Sequence, residues 1–200
     1  MNDEPWYPGE TISVAIGQGP VSVTPLSIAV MMATVANGGI RPIPHLLKAV
    51  DNGNGWSPVK KSMGGKVELS SETIQTLHEG LWRVVNGQGT GRRARIDGFD
   101  VAGKTATSQV ISLEGRAKAE ESNSEFEWRD HGWFAFFAPR NDAPELAGVV
   151  LAEHSDHGYL AAPIARHIMT TYLAKKDGRP LPVLPRPQTP VTTTNLVAEP

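Results

Sequence analysis

Residues 98–109 read GFDVAGKTATSQ, and this stretch separates two very different folds. Its first eight residues satisfy the phosphate-loop pattern G-x-x-x-x-G-K-[ST], which is typical of ATPases and GTPases. That loop requires a helix to begin at Lys104, because a helix N-terminus and its backbone N–H groups hold the phosphates. Residues 106–111 favour a strand instead, and residues 90–97 do not have the pattern of a buried strand. We therefore predict a strand over 100–112 and keep a P-loop NTPase as the lesser alternative.

Interpreted as a strand, the same residues offer groups that bind a peptide. An edge strand presents unpaired backbone N–H and C=O groups to an extended chain. Lys104 adds a cation, and the hydroxyls of Thr105 and Thr107 lie on one face because the two residues are two positions apart. A peptide carboxylate matches this set of groups. The simpler alternative is a strand that only faces solvent.

The rest of the chain supplies further strands and helices. A strand is predicted at 12–16, short strands and turns at 41–66, and a flexible basic loop at 87–93. Helices are predicted from Pro25 to Ala36, from a cap at Ser70 or Ser71 to Asn86, and from about Pro163 to Lys176. A hairpin is predicted at 133–137 and 146–151. This order predicts an α/β fold of the α+β type, with a partial antiparallel sheet covered by helices.

The sequence also predicts which sides of two helices are buried. The helix at 25–36 is apolar on almost every side, so we expect it to be buried all round. The last helix should bury one stripe made of Ile164, Ile168, Met169, Tyr172 and Leu173. The charged stretch 114–130 is expected to be a solvated insertion. We assign residues 1–177 to one partial domain and residues 178–200 to a Pro-rich disordered tail.

Composition excludes several classes of function. The chain has 200 residues, a net charge of −2 and no run of like charges, so we expect no nucleic-acid partner. Without cysteine it has no disulfide, no thiolate nucleophile and no Cys-ligated zinc. The longest apolar run, 28–36, is too short for a membrane segment, and we expect neither a signal peptide nor an anchor in this chain. His154 and His157 alone do not make a metal site, so no metal or cofactor is expected.

Several separate segments resemble one known family. They are residues 9–19 with Thr24-Pro25-Leu26, then 80–86, 101–105, 131–139 and 161–165. Together they resemble the penicillin-binding transpeptidases, most closely the class B enzymes similar to penicillin-binding protein 2, over about residues 6–175. The resemblance implies a serine β-lactamase/transpeptidase-like fold, and it places this chain in the C-terminal part of a D,D-transpeptidase domain.

The resemblance also implies roles for the strand. Lys104 matches the cation of the family's K-T-G motif, and Thr105 matches the hydroxyl that binds the carboxylate of a D-Ala-D-Ala stem peptide or a β-lactam. The backbone N–H of Thr107 would form half of an oxyanion hole. Ala106 replaces the motif's glycine, and we expect its methyl group either to crowd an incoming ligand or to shift the backbone donor beside it. Each effect would lower the affinity for penicillins.

In the family, the nucleophilic serine and its lysine lie in an S-x-x-K motif that precedes the segment matched by residues 9–19. We therefore expect the catalytic serine, its lysine and the S-x-N motif to be absent, and the chain to be inactive alone in peptidoglycan cross-linking. The S-x-x-K at Ser57 to Lys60 is interpreted as a coincidence. The missing N-terminal half is a candidate partner, and the family implies the periplasmic side of the cytoplasmic membrane. The alternative is a non-catalytic muropeptide-binding or partner module.

Overall fold

Strand β5, Ala102–Ser108, is one of the two outer strands of a three-stranded antiparallel sheet in the computed structural model. The structure describes residues 5–15, 17, 21–60, 62–110, 129–141 and 143–184. Within that part of the chain, β5 pairs only with β6, His131–Ala138, which also pairs with β7, Leu146–Ala152. The hairpin is confirmed, and the strand predicted at 100–112 is confirmed over the shorter range Ala102–Ser108. Residues 111–128 lie outside the described residues, and with them most of the expected insertion at 114–130.

The position of Lys104 in the middle of β5 contradicts the P-loop alternative. No helix begins at this lysine, and Gly98 belongs to a turn with a φ of +76°. The residues just before it form a short 3₁₀ helix, Arg92–Ala94, rather than a buried strand. The NTPase alternative is therefore wrong, because the helix N-terminus that holds phosphate does not exist here.

Contacts between aromatic rings and glycines set the alignment of the three strands. Thr105 lies opposite Phe134 in the sheet. The Phe134 ring occupies the space beside Gly103, where an added methyl group would lie 2.7 Å from ring atom Cζ. The Phe136 ring fills the space beside Gly148 in the same way, at 2.9 Å. The two rings stack with their centroids 6.1 Å apart, so one packed unit joins β5, β6 and β7.

Helices cover both faces of this sheet. On one face, α2, Pro25–Ala36, packs on β6 and β7, and α3, Ser71–Asn86, packs on β5. The other face is covered by α4, Ala162–Lys176. Each face has its own core, since alternate residues of β6 point to opposite sides. The predicted α/β class, with an antiparallel sheet covered by helices, is confirmed.

Local capping explains why α2 and α3 begin where the sequence predicts. The Thr24 hydroxyl accepts a hydrogen bond from the Ser27 backbone N–H at 3.1 Å, and Pro25 is the first helical residue. Ser70 accepts from the Thr73 N–H at 3.1 Å in the same manner. Each cap satisfies a backbone donor that the helix leaves without an internal partner.

The strand predicted at 12–16 is wrong, because helix α1 spans Pro8–Ala15 and Ile16 lies outside the described residues. Proline is well suited to the first turn, where its missing N–H costs nothing. Glu10 then accepts a hydrogen bond from the Tyr7 backbone N–H at 3.2 Å, which is half of a capping box. A five-residue alternation does not outweigh these local helix signals.

The burial predictions for two helices are also wrong in part. In α2, Met32 is buried but Leu26 is 58% exposed, since the described residues cover only the side that faces the sheet. In α4, Met169 is buried while Ile164 and Ile168 are exposed. The side of α4 that contacts the sheet instead carries small alanines, which allow the helix to approach closely. Hydrophobic periodicity marks the large apolar residues and misses the small ones at such a contact.

The short strands predicted at 41–66 form two small antiparallel pairs. Strand β1, Ile40–Pro42, pairs with β4, Met63–Lys66, and β2, Ala49–Asp51, pairs with β3, Trp56–Pro58.

The proposed tail is described only as far as residue 184, without a helix or strand from 179 onward, and residues 185–200 lie outside the described part. The prediction of disorder there stays a prediction. Among the described helices, none has the length and apolar character needed to cross a bilayer.

Candidate functional site

Among the described residues, no strand pairs with the outer edge of β5, on the side away from β6. The Thr105 carbonyl accepts a hydrogen bond from Lys104 Nζ at 2.6 Å, which places this carbonyl on the side away from β6. The backbone N and O of Ala106, in contrast, lie beside the Trp133 carbonyl oxygen of β6, around Gly158. Because backbone groups alternate between the two sides of a strand, the N–H and C=O groups of Thr105 and Thr107 face outward.

The predicted site residues divide between the two faces of the strand. Lys104 and Ala106 lie on the face covered by α2 and α3, and both are exposed. Thr105 and Thr107 lie on the opposite face, as predicted from their spacing. Thr107 is exposed, but Thr105 is only 8% exposed. The structure thus brings the four residues together on one edge, with one hydroxyl largely covered.

The buried Thr105 hydroxyl contacts Thr90, with the two Oγ1 atoms 2.5 Å apart. Thr90 belongs to the loop that follows α3, for which the sequence predicts only flexibility. The loop is instead held closely against the helix, because the Gly91 N–H donates to the Val84 carbonyl at 3.0 Å. A methyl group on Gly89 would lie 2.6 Å from the same carbonyl oxygen. Glycine spacing was the only sequence signal for this close approach, and it did not identify Thr90.

A second loop supports the C-terminal end of β5. Gly158, at the start of a 3₁₀ turn, packs directly on the backbone of Ala106. Ser155 accepts a hydrogen bond from the Gly132 N–H at 3.1 Å, and the Trp133 indole N–H donates to Ser108 at 2.8 Å. These contacts fix the strand where Thr107 presents its outward N–H. Sequence reasoning missed them, because they join residues far apart in the chain.

Arg140 holds the N-terminal end of β5. Its Nη1 lies 2.6 Å from Glu79 of α3, and its Nε lies 3.3 Å from Asp100, just before the strand. The guanidinium also lies over the Trp82 ring, 5.1 Å from the centroid. Hydrogen bonds from Arg83 and Arg140 hold the pKa of Glu79 below its usual range. Arg140 therefore connects helix α3 to the start of strand β5.

A separate polar cluster joins α4 to the sheet. Lys176 Nζ lies 2.6 Å from Glu145 Oε1, and the Tyr172 hydroxyl donates to Glu145 at 2.9 Å. These two hydrogen bonds, that of Lys176 first, lower the pKa of Glu145. The same contact with Glu145 raises the pKa of Lys176 and of Tyr172. The cluster lies beside β7 and stabilises the sheet rather than forming part of its open edge.

Within the described residues, the S-x-x-K segment and the histidine pair do not form a catalytic or metal site. Ser57 lies exposed on strand β3, and no helix begins there, so Ser57 and Lys60 lack the arrangement of a nucleophile and base one helical turn apart. In the part of the chain that the structure describes, no three His, Asp or Glu side chains are grouped as metal ligands.

Comparison with known protein families identifies the family to which this chain belongs. A family model described as the penicillin binding protein transpeptidase domain matches residues 1–170. This chain belongs to the penicillin-binding transpeptidase family. The resemblance inferred from the sequence motifs is confirmed, and so is the serine transpeptidase-like fold.

Individual relatives support the assignment. Peptidoglycan D,D-transpeptidase MrdA of Acinetobacter baumannii is 37% identical over 179 residues, which are 88% of this chain and 26% of that protein. The structure of Pseudomonas aeruginosa PBP2 in complex with WCK 5153 matches with a TM-score of 0.66 and 32% identity, over 88% of this chain and 35% of that one. Helicobacter pylori PBP2, in its complex with MreC, matches with a TM-score of 0.62 and 26% identity, over 87% of this chain and 29% of its own.

These matches cover most of this chain but only a small part of each relative. The chain spans about a quarter of the length of the curated MrdA relatives. What those whole proteins do is therefore a starting point for proposals about this chain.

Proposed function

We propose that β5 is the substrate-recognition strand of a peptidoglycan D,D-transpeptidase and binds the C-terminal carboxylate of a D-Ala-D-Ala stem peptide or a β-lactam. The observation that carries the proposal is the open outer edge of β5, with Lys104, Thr105 and Thr107 next to one another. A peptide laid along this edge gains backbone hydrogen bonds, and the lysine supplies a charge for its terminus.

Each site residue has a distinct part in this proposal. Lys104 attracts the carboxylate, and the Thr105 hydroxyl donates a hydrogen bond to it. The outward N–H of Thr107 stabilises negative charge on the carbonyl oxygen that is attacked during acyl transfer. The exposed methyl group of Ala106 narrows the space above the strand, so we expect weak binding of bulky β-lactams.

The family reaction needs a serine nucleophile, which attacks the penultimate D-Ala carbonyl and releases the terminal D-Ala. We propose that this serine and its lysine come from the N-terminal half of the domain, and that the chain alone forms no covalent adduct with penicillin. The envelope is the corresponding location, because the reaction acts on peptidoglycan.

A second candidate is a non-catalytic module that holds muropeptide or a partner. The observation that favours it is the exposed apolar side of α2, which includes Leu26 and Met31. This candidate shares the peptide-binding strand but requires no acyl transfer.

The decisive test is an NMR titration that measures the affinity of the chain for diacetyl-L-Lys-D-Ala-D-Ala and for its C-terminal amide. We expect the acid to bind roughly tenfold more tightly than the amide, which is the effect of about one charge-assisted hydrogen bond. Lys104→Ala should remove this preference, while Lys48→Ala, which changes an exposed lysine outside β5, should keep it. Equal binding of the acid and the amide by the unchanged chain would refute the proposal. Labelling by a fluorescent penicillin would contradict the assignment of the nucleophile to the N-terminal half.

A further inference from the structure

Thr90 and Thr105 form a pair of hydroxyl groups beside the outer edge of β5. Thr105 is largely buried, whereas Thr90 is exposed at the surface of the loop that follows α3. Their Oγ1 atoms are within hydrogen-bonding distance, and either one is able to donate. A buried hydroxyl needs a hydrogen-bond partner, and Thr90 provides it.

The direction of this hydrogen bond decides what Thr105 offers to a ligand. A hydroxyl group has one proton to donate and two lone pairs that accept. If Thr105 donates to Thr90, it presents only lone pairs, which repel a carboxylate. If Thr90 donates instead, the Thr105 proton is available for the anion. Binding of a carboxylate at Thr105 therefore requires the second direction.

We propose that Thr90 is a positioning residue, which donates its proton to Thr105 and so directs the Thr105 proton toward the ligand carboxylate. This inference rests on the proposed function of β5. Donation by Thr90 also polarises the Thr105 O–H, which strengthens the hydrogen bond that Thr105 makes in turn.

The loop has the rigidity that such a role requires. Gly91 is buried and packs against Val84 and Phe134, where an added methyl group would lie 3.0 Å and 3.1 Å from their side chains. The Ala94 N–H donates to the Gly91 carbonyl at 2.9 Å and begins the 3₁₀ helix that follows. Thr90 therefore directly precedes a residue that is packed on α3 and β6, and this packing places its hydroxyl beside Thr105.

The test measures the preference for the acid over the amide of diacetyl-L-Lys-D-Ala-D-Ala in variants of the full chain. Thr90→Val keeps the shape of the side chain but removes the hydroxyl, and we expect the affinity for the acid to fall roughly fivefold while the amide is unaffected. Thr90→Ser keeps the hydroxyl and should restore the preference. Thr73→Val is a matched control, because Thr73 shares a similar hydroxyl contact with Ser70 at 2.9 Å on α3.

A double-mutant cycle with Thr105→Val separates positioning from direct contact. If Thr90 acts through Thr105, Thr90→Val has no further effect once the Thr105 hydroxyl is removed. An equal loss in both backgrounds would show direct ligand contact and overturn the positioning role. Unchanged acid preference in Thr90→Val would overturn it too, while leaving the function of β5 intact. Failure of the unchanged chain to prefer the acid would instead refute both.

Discussion

Gly158→Ala is the sharpest test of how strand β5 is held in place. A methyl group at this position would lie 2.6 Å from the Trp133 carbonyl oxygen and 2.8 Å from the Ala106 backbone nitrogen. It would lie closer still to the Ala106 carbonyl oxygen. All three are backbone atoms of paired strands, so no side chain is able to rotate away and relieve the overlap.

The size of the effect follows from these distances. A carbon atom approaches a carbonyl oxygen to about 3.3 Å, so relief of the Trp133 contact alone needs about 0.7 Å, and the closer Ala106 contact needs more. Overpacking of this kind costs roughly 3 kcal/mol. For a chain of this size, that corresponds to a melting temperature lowered by about 6 to 12 °C.

Thermal unfolding followed by circular dichroism measures the loss, and backbone NMR shifts show whether Ala106 and Thr107 move. Gly80→Ala is the matched control, because Gly80 lies on α3 with no atom near the added methyl group. This control should gain about 0.5 to 1 kcal/mol, since alanine favours a helix over glycine. If Gly158→Ala melts within about 2 °C of the unchanged chain, the strand is not held by this contact and the reasoning is refuted.

Two further predictions concern charged groups. Arg140→Met should lower the melting temperature by about 3 to 6 °C, because it breaks the ion pairs to Glu79 and Asp100, whereas Arg83→Met should have little effect since Arg83 is an exposed partner. Equal melting of the two variants would argue against Arg140 as the connection to β5. The lowered pKa values of Glu79 and Glu145 mean that both carboxyl groups bind a proton more weakly when the chain is folded. Their stabilising contribution is complete above about pH 4.3 and is lost as the pH falls through the lower folded values. Urea unfolding between about pH 5 and 2.5 should show this fall, and a Glu79→Gln, Glu145→Gln double variant should show a shallower one; identical pH profiles would contradict the assignment.

The elements that the sequence predicted well are those determined by local signals. A threonine followed by proline starts α2, a serine starts α3, and continuous apolar residues mark β6 and β7. The error at residues 12–16 arose because a short alternation competed with a proline and a capping glutamate just before it. Burial was harder to predict, since it depends on which residues face a neighbour, and Ile164 and Ala165 differ in burial although they are adjacent.

The candidate site was partly predictable, because four of its residues are adjacent in the chain. Lys104, Thr105, Ala106 and Thr107 follow one another in the chain, so a strand assignment and a family motif were enough to group them. Thr90, Arg140 and Gly158 come from three other segments, and only the folded chain brings them to β5. No residue pattern in a single sequence encodes those distances.

Phe134 packs over Gly103 and Phe136 packs over Gly148, and these contacts oppose a shift of β5 along β6. Side chains alternate along a strand, so a shift by one residue would turn Lys104 toward the opposite core and bring Thr105 to the other face. The ring and glycine pairs oppose that shift from within the sheet. The packing inside the sheet therefore fixes which face of β5 presents Lys104 and which presents Thr105.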